Sequence, residues 1–508
     1  MDASDDASLS AVFVGAPPTV TPSIIDEEPP VRDGDRYAAV GTNPFVMVAH
    51  DPVSTFATDA DTASYDLFVR YANAGGLPDP DSVRLEDYVN YFDYDYPAAP
   101  PDSDVPFSVA LAAAPSPFDA QTLLYRVGIS GKQAPASEKK PANLVYLVDV
   151  SGSMQGPDRL PLVQQLLRQS LDLLAPEDLV SIVSYASDTR VRLAPTRVSE
   201  RRSIISAIDA LGAGGSTAGA SGIELAYAQA SQGFIQGGLN HVILCTDGDF
   251  NVGASSNQAL VELIVAKRRT GITMTALGFG SGNLNDGMLE AVSNAGNGFY
   301  GVISSEGQAA DYVRERLLST LSLIAKDVKV QVELNPELVL AYRLLGYENR
   351  AIADRDFRND VVDAGEIGAG HQVTAVYELI LSGGSLPEVR GAPPPSNGEA
   401  YAGEREIGAG ELARVKLRYK AVDAGATDAA LEVSSSLSPE QIATDFGAAD
   451  ADLRWASAVA VFAEILKHSP YAQPERLEEL ARVFAEQAAR DPVRAELYEL
   501  FEQVRSKL

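Results

Sequence analysis

The sequence predicts an α/β fold: a doubly wound, mostly parallel sheet inserted in a β-sandwich, with small helical parts near both ends. Two observations support this prediction. Between about 143 and 325, short apolar runs alternate with amphipathic stretches, the pattern of a parallel sheet covered on both faces. On either side of this unit, apolar and polar residues alternate with a period of two, as they do in half-buried antiparallel strands.

The predicted parallel sheet takes its strands from apolar runs that end at polar loops. These strands are 143–148, 179–185, 190–194, 241–246, 272–277 and 299–303. The predicted helices between and after them are 160–174, 200–211, 218–234, 257–270, 286–295 and 307–325. In such a sheet, ligands bind outside the carboxyl ends of the strands, so we expect a ligand site in the loops that follow the strands.

The flanking strands occur on both sides of the α/β unit. Alternation is clear around Val109 and Val127 before the unit, and around Val330, Tyr377 and Val415 after it. The simplest arrangement is one sandwich with the α/β domain inserted into it, so that strands at 106–130 pair with strands at 327–335 or later. The alternative is a chain of separate domains.

The predicted organisation has six parts. They are a disordered leader (1–41), an N-terminal helical extension (42–105), the first sandwich strands (106–140), the inserted domain (141–325), the rest of the sandwich (326–435) and a C-terminal helical region (436–508). In the extension, Asp61 or Thr62 is expected to cap one helix and Ser82 to open a second. Residues 382–411, rich in Gly and Pro, are expected to form a long mobile excursion.

The composition excludes several classes of function and structure. The chain has 508 residues and a net charge of −30, which argues against non-specific binding to nucleic acid or to an anionic membrane. Its one cysteine, Cys245, lies in an apolar run, so it is expected to be buried and to form no intrachain disulfide. No run of 18 apolar residues occurs, so no spanning helix is expected. The first residues resemble no signal peptide, which fits a cytosolic protein or a chain that begins after a removed signal.

Oxygen-bearing side chains follow two of the predicted strands. Asp149, Ser151 and Ser153 follow strand 143–148, and Asp247 follows strand 241–246. Carboxylates and hydroxyls suit Mg²⁺, Mn²⁺ or Ca²⁺ and disfavour zinc. Because two Asp charges only cancel one dication, the ion would still accept an anionic oxygen. The competing interpretation is local: Asp149 caps a helix and Asp247 a turn.

The run Asp149-Val-Ser-Gly-Ser153 resembles the D-x-S-x-S signature of von Willebrand factor type A (VWA) domains, where it forms the first loop of the metal-ion-dependent adhesion site (MIDAS). In this family a threonine about six residues before an apolar position supplies the second loop. Thr217, before Ile223, fits that spacing, and Ser216 is the alternative. The resemblance implies that Asp149, Ser151, Ser153, Thr217 and Asp247 hold Mg²⁺, or Mn²⁺ or Ca²⁺, which a partner's Glu or Asp then contacts.

Three further regions resemble the bacterial YfbK-like group of VWA proteins: Asn43-Pro-Phe45 with the residues up to Tyr65, the run 83–97, and Arg454–Phe462. This resemblance implies a lipoprotein or exported protein, and a place in the cell envelope, the periplasm or on the cell surface. The expected function is a metal-dependent, adhesion-type protein-binding module. The alternative is a VWA accessory subunit of an intracellular AAA+ or chelatase-type machine.

The sequence favours binding over catalysis. None of the four histidines has the spacing of a catalytic or metal motif, and the Ser and Asp residues of the predicted site would be occupied by the ion. We therefore expect no enzymatic activity, no catalytic residues and no organic cofactor. The expected partner is a protein that supplies a metal-bridged carboxylate. Nucleic acid is not an expected partner, and membrane contact would require a lipid anchor that this chain does not carry.

Overall fold

The computed structural model of the protein describes residues 34–58, 61–100, 103–133, 140–216, 220–248, 257–317, 323–360, 362, 364–399, 401, 403–424 and 428–508. The strands are β1 (Val46–Met47), β2 (Val53–Ala57), β3 (Phe107–Pro115), β4 (Leu123–Gly131), β5 (Ala142–Asp149), β6 (Leu179–Tyr185), β7 (Thr189–Arg197), β8 (Leu239–Thr246), β9 (Ile272–Phe279), β10 (Tyr300–Ile303), β11 (Leu323–Leu334), β12 (Val339–Leu345), β13 (Gly365–Gly368), β14 (Gln372–Leu381), β15 (Ala413–Lys420) and β16 (Leu431–Leu437).

The α-helices surround these strands. They are α1 (Ala63–Asn73), α2 (Leu85–Val89), α3 (Leu160–Ser170), α4 (Arg201–Asp209), α5 (Ala220–Gln232), α6 (Asn257–Arg268), α7 (Asp286–Ala295), α8 (Glu306–Asp311), α9 (Ala451–Leu466), α10 (Leu477–Ala488) and α11 (Pro492–Val504). Within the described residues, no helix has the length and apolar character that crossing a membrane requires.

The central sheet has six strands in the order β10-β9-β8-β5-β6-β7, all parallel except for β7 at one edge. Strand β5 is buried along its whole length. Leu144 and Tyr146 belong to the apolar core on one face of the sheet, and Val145 and Leu147 to the core on the other. Because both faces are covered, the strand is a continuous apolar run, and the predicted doubly wound sheet is confirmed.

Two antiparallel sheets form the predicted sandwich. One has the order β1-β12-β14-β4-β3, and the other contains β13-β11-β15-β16 with β2 added on β11. Strand β4, which precedes the central sheet in the chain, pairs with β14, which follows it. The α/β domain is therefore inserted in the sandwich, and the predicted pairing of strands at 106–130 with strands after 327 is confirmed.

Three local predictions were wrong. The extension is not only helical, because β1 pairs with β12 and β2 with β11. The helix predicted to reach residue 325 ends earlier, since β11 already begins at Leu323. The helix expected to open at Ser82 begins at Leu85, after a short 3₁₀ turn.

A layer of helices covers the outer face of the first sandwich sheet. Aromatic side chains of the extension pack against those of the C-terminal helices, as in the edge-to-face pair of Phe92 and Trp455 at 5.0 Å between ring centroids. Leu124 of β4 and Val376 of β14 join the same apolar core. Helix α1 also contributes Leu67 to the core beneath the central sheet. The extension therefore bridges the VWA-like sheet and the C-terminal helices.

The segment 382–411, predicted to be a mobile excursion, forms hydrogen bonds with the rest of the protein at several points. Ser396 donates its backbone N–H to the carbonyl oxygen of Phe45 at 2.8 Å. The buried carboxylate of Glu333 accepts the backbone N–H of Glu406 at 2.8 Å. Its described residues contain no helix and no strand beyond an isolated bridge at Ser396.

Candidate metal site

The candidate site lies at the carboxyl edge of the central sheet. Strand β5 ends at Asp149, and its parallel neighbour β8 ends at Thr246, one residue before Asp247. The chain leaves β5 toward β6 on one side and later returns to β8 on the other. The edge between β5 and β8 is thus the point where the strand order reverses, the usual ligand position in an open α/β sheet.

Asp149 is fully buried and held from two sides. Its Oδ1 accepts the backbone N–H of Ser151 at 2.8 Å, and its Oδ2 accepts the hydroxyl of Thr246 at 3.2 Å. Burial raises the pKa of the Asp149 carboxyl to about 6, and the negative charge of Asp247 adds to this rise. Burial and the neighbouring negative charge therefore both disfavour the charged form of Asp149.

The two serines of the first loop lie together. The Oγ atoms of Ser151 and Ser153 are 2.9 Å apart. Two backbone hydrogen bonds join this loop to the next one. Gly152 donates its N–H to the carbonyl oxygen of Gly215 at 2.9 Å, and Gly214 donates its N–H to the carbonyl oxygen of Val150 at 2.7 Å. The glycine-rich turn is thus fixed beside the D-x-S-x-S loop.

Thr217 lies outside the described residues, so its predicted place in the site stays a prediction. Its alternative, Ser216, contacts Ser187. The Ser216 hydroxyl lies 3.3 Å from the Ser187 hydroxyl, and its backbone N–H donates to the same Ser187 oxygen at 2.9 Å. This contact at the exposed rim does not favour Ser216 as a ligand.

Asp247 supplies the observation that best fits a cation. Its Oδ2 accepts a hydrogen bond from Arg159 at 3.2 Å. Its Oδ1 is buried and has no hydrogen-bond partner among the residues that the structure describes. A buried carboxylate oxygen without a partner is costly, and coordination to a cation would remove that cost. Asp149, Ser151, Ser153 and Asp247 thus lie at the same edge of the sheet, and their side chains offer oxygen donors only.

Gly248 shows how closely the third loop is packed. Its φ is +97°, and a Cβ there would clash with the backbone of Leu284. Gly248 also donates its N–H to the Thr246 hydroxyl at 3.1 Å. Only glycine combines this conformation with such a close approach, so Gly248 is required for the loop after β9 to lie against the candidate site.

Sequence reasoning missed one member of the site, Arg159. Its guanidinium donates to Asp247 and to the carbonyl oxygen of Ser153, and it also reaches the carbonyl oxygen of Ser281 at 2.6 Å. It therefore bridges three loops. The only signal in the sequence is a basic residue directly before α3, six residues after Ser153, and no metal-ligand pattern includes such a position.

The prediction of a disordered leader was wrong for residues 34–41, which lie against this edge of the sheet, where Arg36 forms a bridge with Asn285. Asp35 accepts the backbone N–H groups of Gly282 and Leu284 at 2.8 and 2.9 Å. Arg70 of α1 pairs with Asp35 and donates to the carbonyl oxygen of Gly280 at 2.7 Å. The loop that touches Arg159 and Gly248 is therefore held on its far side by the extension.

The sequence comparisons agree with this architecture. The family model "von Willebrand factor type A domain" matches residues 143–315, "Uncharacterized protein YfbK, C-terminal" matches 319–507, and a model described as "von Willebrand factor" matches 31–126. The protein YfbK of Escherichia coli K12 is 37% identical over 476 residues, which cover 92% of this chain and 80% of that protein. The chain belongs to the YfbK family of VWA-domain proteins.

More distant relatives match mainly the VWA region. The protein sll0103 of Synechocystis is 26% identical over 216 residues, covering 42% of this chain and 50% of that protein. Among solved structures, a von Willebrand factor type A protein from Catenulispora acidiphila is 16% identical with a TM-score of 0.43, over 80% of this chain and 89% of that one. Proximal thread matrix protein 1 from the mussel byssus, in a structure whose MIDAS motif is occupied by zinc, has 17% identity and a TM-score of 0.31, over 37% of this chain and 50% of that one.

In this YfbK-family protein the VWA domain carries the candidate site. VWA domains are mostly interaction modules, and they commonly bind a divalent cation at the MIDAS position. The residues of this chain at that position have the oxygen donors that such a cation needs. The choice of Mg²⁺, Mn²⁺ or Ca²⁺ as the ion stays a prediction, and so does the role of Thr217 as a ligand.

Proposed function

We propose that this protein captures partner proteins in the bacterial cell envelope through a divalent cation, Mg²⁺ or Mn²⁺, held by Asp149, Ser151, Ser153, Thr217 and Asp247. A cation bound there supplies an open coordination position for the carboxylate oxygen of a partner's Glu or Asp. The chain's own residues hold that position at the edge of a rigid sheet. The envelope location rests on the resemblance of the whole chain to YfbK proteins.

Asp247 Oδ1 is buried and has no hydrogen-bond partner in the part of the chain that the structure describes, and this observation carries the proposal. The other carboxylate, Asp149, already has a hydrogen-bond donor on each oxygen, so its orientation is fixed before a ligand arrives. The two serine hydroxyls add coordination without adding charge. Such a donor set leaves the cation electrophilic enough to take an external anionic oxygen.

Long-range electrostatics shape how a partner approaches. The chain carries a net charge of −30. At low salt concentration this charge is poorly screened, so an acidic partner is repelled over a long distance. We expect capture of such a partner to tighten as salt is raised from low concentration. The local contact is short-ranged and changes less with salt.

The test is a pull-down from a bacterial envelope extract with the full chain immobilised. Capture should require Mg²⁺, disappear with a chelator and be lost in Ser151→Ala. Ser434→Ala, on the exposed strand β16 far along the chain in the sandwich, is the matched control and should capture normally. Thermal unfolding in chelator should show a cooperative transition for all three proteins, so that loss of capture is not loss of the fold. A partner that binds equally well in excess chelator contradicts the proposal.

A further inference from the structure

Arg159 occupies an unusual place for a cationic residue, beside a predicted cation site. Its Nη1 donates to Asp247 Oδ2 at 3.2 Å and to the carbonyl oxygen of Ser153. Its Nη2 donates to the carbonyl oxygen of Ser281 at 2.6 Å. The side chain is 17% exposed, so it lies at the rim, where a ligand that reaches the site from solvent would meet it.

The surrounding chain is built around this guanidinium. A Cβ at Gly280, whose φ is +74°, would lie 2.5 Å from the Arg159 Nε. Gly280 is in turn held by Arg70, and Gly282 by Asp35. The position of Arg159 is therefore fixed from both sides of the loop after β9 and is not that of a freely moving surface side chain.

The charges of the site decide what Arg159 can do. Asp149 and Asp247 carry two negative charges, which a divalent cation cancels. Among these described groups, the guanidinium of Arg159 then leaves one positive charge in excess, although the protein as a whole is strongly acidic. A like charge beside the cation weakens metal binding. The same charge attracts an anionic ligand, and guanidinium groups form strong hydrogen bonds with carboxylates.

We propose that Arg159 is a specificity-determining residue: with the cation it forms a receptor for a carboxylate, one oxygen on the metal and the other within reach of the guanidinium. This inference rests on the proposed function and names its ligand class. It explains why the chain places a positive charge where metal affinity alone would disfavour one. Arg159 lowers metal affinity and raises carboxylate affinity, and it selects carboxylates over neutral oxygen ligands.

A positioning role for Arg159 would give a different result. If the residue only oriented Asp247, its loss would weaken metal binding, as the loss of other groups that orient metal ligands does. Carboxylate binding would then fall only as far as metal occupancy falls. Opposite changes in the two affinities therefore separate the specificity role from a structural one.

The experiment uses the full chain stripped of metal, with Mn²⁺ and acetate as probes. Calorimetry gives the Mn²⁺ affinity. With protein in excess over Mn²⁺, paramagnetic broadening of the acetate methyl signal reports carboxylate bound at the metal. Arg159→Gln should bind Mn²⁺ about threefold more tightly and reduce the acetate broadening about fivefold. Arg159→Lys, which keeps the charge, should retain most of the broadening.

Arg168→Gln, which removes a surface arginine paired with Asp209 on the same domain, is the matched control and should change neither value. Arg159→Met keeps the apolar stem against Gly280 and should repeat the crossed pattern if the glutamine variant does not fold. Weaker Mn²⁺ binding in Arg159→Gln, or unchanged acetate broadening, overturns the inference. Wild-type protein that binds no Mn²⁺, or binds it without broadening acetate, instead defeats the proposed function itself.

Discussion

The buried carboxylate of Asp149 gives a prediction that separates stability from function. Its pKa is raised from 3.8 to about 6, mainly by burial. An acid whose pKa is raised by folding stabilises the fold below pH 4 and loses that contribution as pH rises to about 6. At pH 7.5 the metal-free protein therefore bears the full cost of this charge, about 3 kcal/mol at about 1.4 kcal/mol for each pH unit.

Asp149→Asn removes the charge and keeps an oxygen acceptor for the backbone N–H of Ser151. In the wild-type protein this N–H lies 2.8 Å from Asp149 Oδ1. The variant loses the bond from Thr246, at 3.2 Å, which is worth about 1 kcal/mol. We expect the metal-free variant to gain about 2 kcal/mol in free energy of unfolding at pH 7.5, or about 5 °C in Tm. Added Mg²⁺ should stabilise the wild type by mass action but leave the variant unchanged.

Thermal unfolding by circular dichroism, in chelator and in millimolar Mg²⁺, measures both effects. At pH 4 the metal-free wild type and variant should differ much less, because Asp149 is then protonated in the folded protein. Asp178→Asn is a useful control, since Asp178 is also buried and accepts backbone N–H groups but lies at the other end of the sheet. A metal-free Asp149→Asn protein that is less stable than wild type at pH 7.5 would refute the reasoning.

Three more predictions follow from the fold. Arg84→Ala leaves the buried carboxylate of Asp286, 2.8 Å away, without its counter-charge, and should lower the free energy of unfolding by about 3–5 kcal/mol in denaturant titration. Gly248→Ala should lower Mn²⁺ affinity in calorimetry, because a Cβ would push the loop away from Leu284. Burial raises the pKa of Asp66 to about 8, so its contribution to stability falls as pH rises from about 4 to 8. Asp66→Asn should therefore reduce the loss of Tm between pH 5 and pH 8.

Much of the site was predictable because strand ends in a parallel sheet converge. The spacing of Asp149, Ser151 and Ser153 after one apolar run, and of Asp247 after another, was enough to bring four oxygen-bearing residues together. Arg159 was not predictable, because its role depends on where the loop at Gly280 passes, and that loop is about 120 residues further along the chain. A basic residue directly before a helix does not by itself indicate a particular contact.

The sandwich was predicted from long alternating strands, and the short ones were missed. Strand β2, with only five residues, is too short for a clear period, and its partner β11 lies about 270 residues away. Of the two residues expected to cap α1, Thr62 occupies the N-cap position, without a side-chain cap hydrogen bond, and Asp61 does not. The Asp61 carboxylate instead accepts the N–H of Tyr300 at 2.6 Å and pairs with Arg350. Local sequence gives no sign of such long-range ion pairs.

The proposed function depends on a divalent-cation site at this edge of the sheet. Calorimetric titration of the metal-free full chain with Mn²⁺, in parallel with Asp149→Ala, tests it most directly. We expect one ion bound to each wild-type chain and no detectable binding to the variant, because its remaining carboxylate cannot balance the charge of the ion. Equal affinity in the two proteins would contradict the assignment of the site.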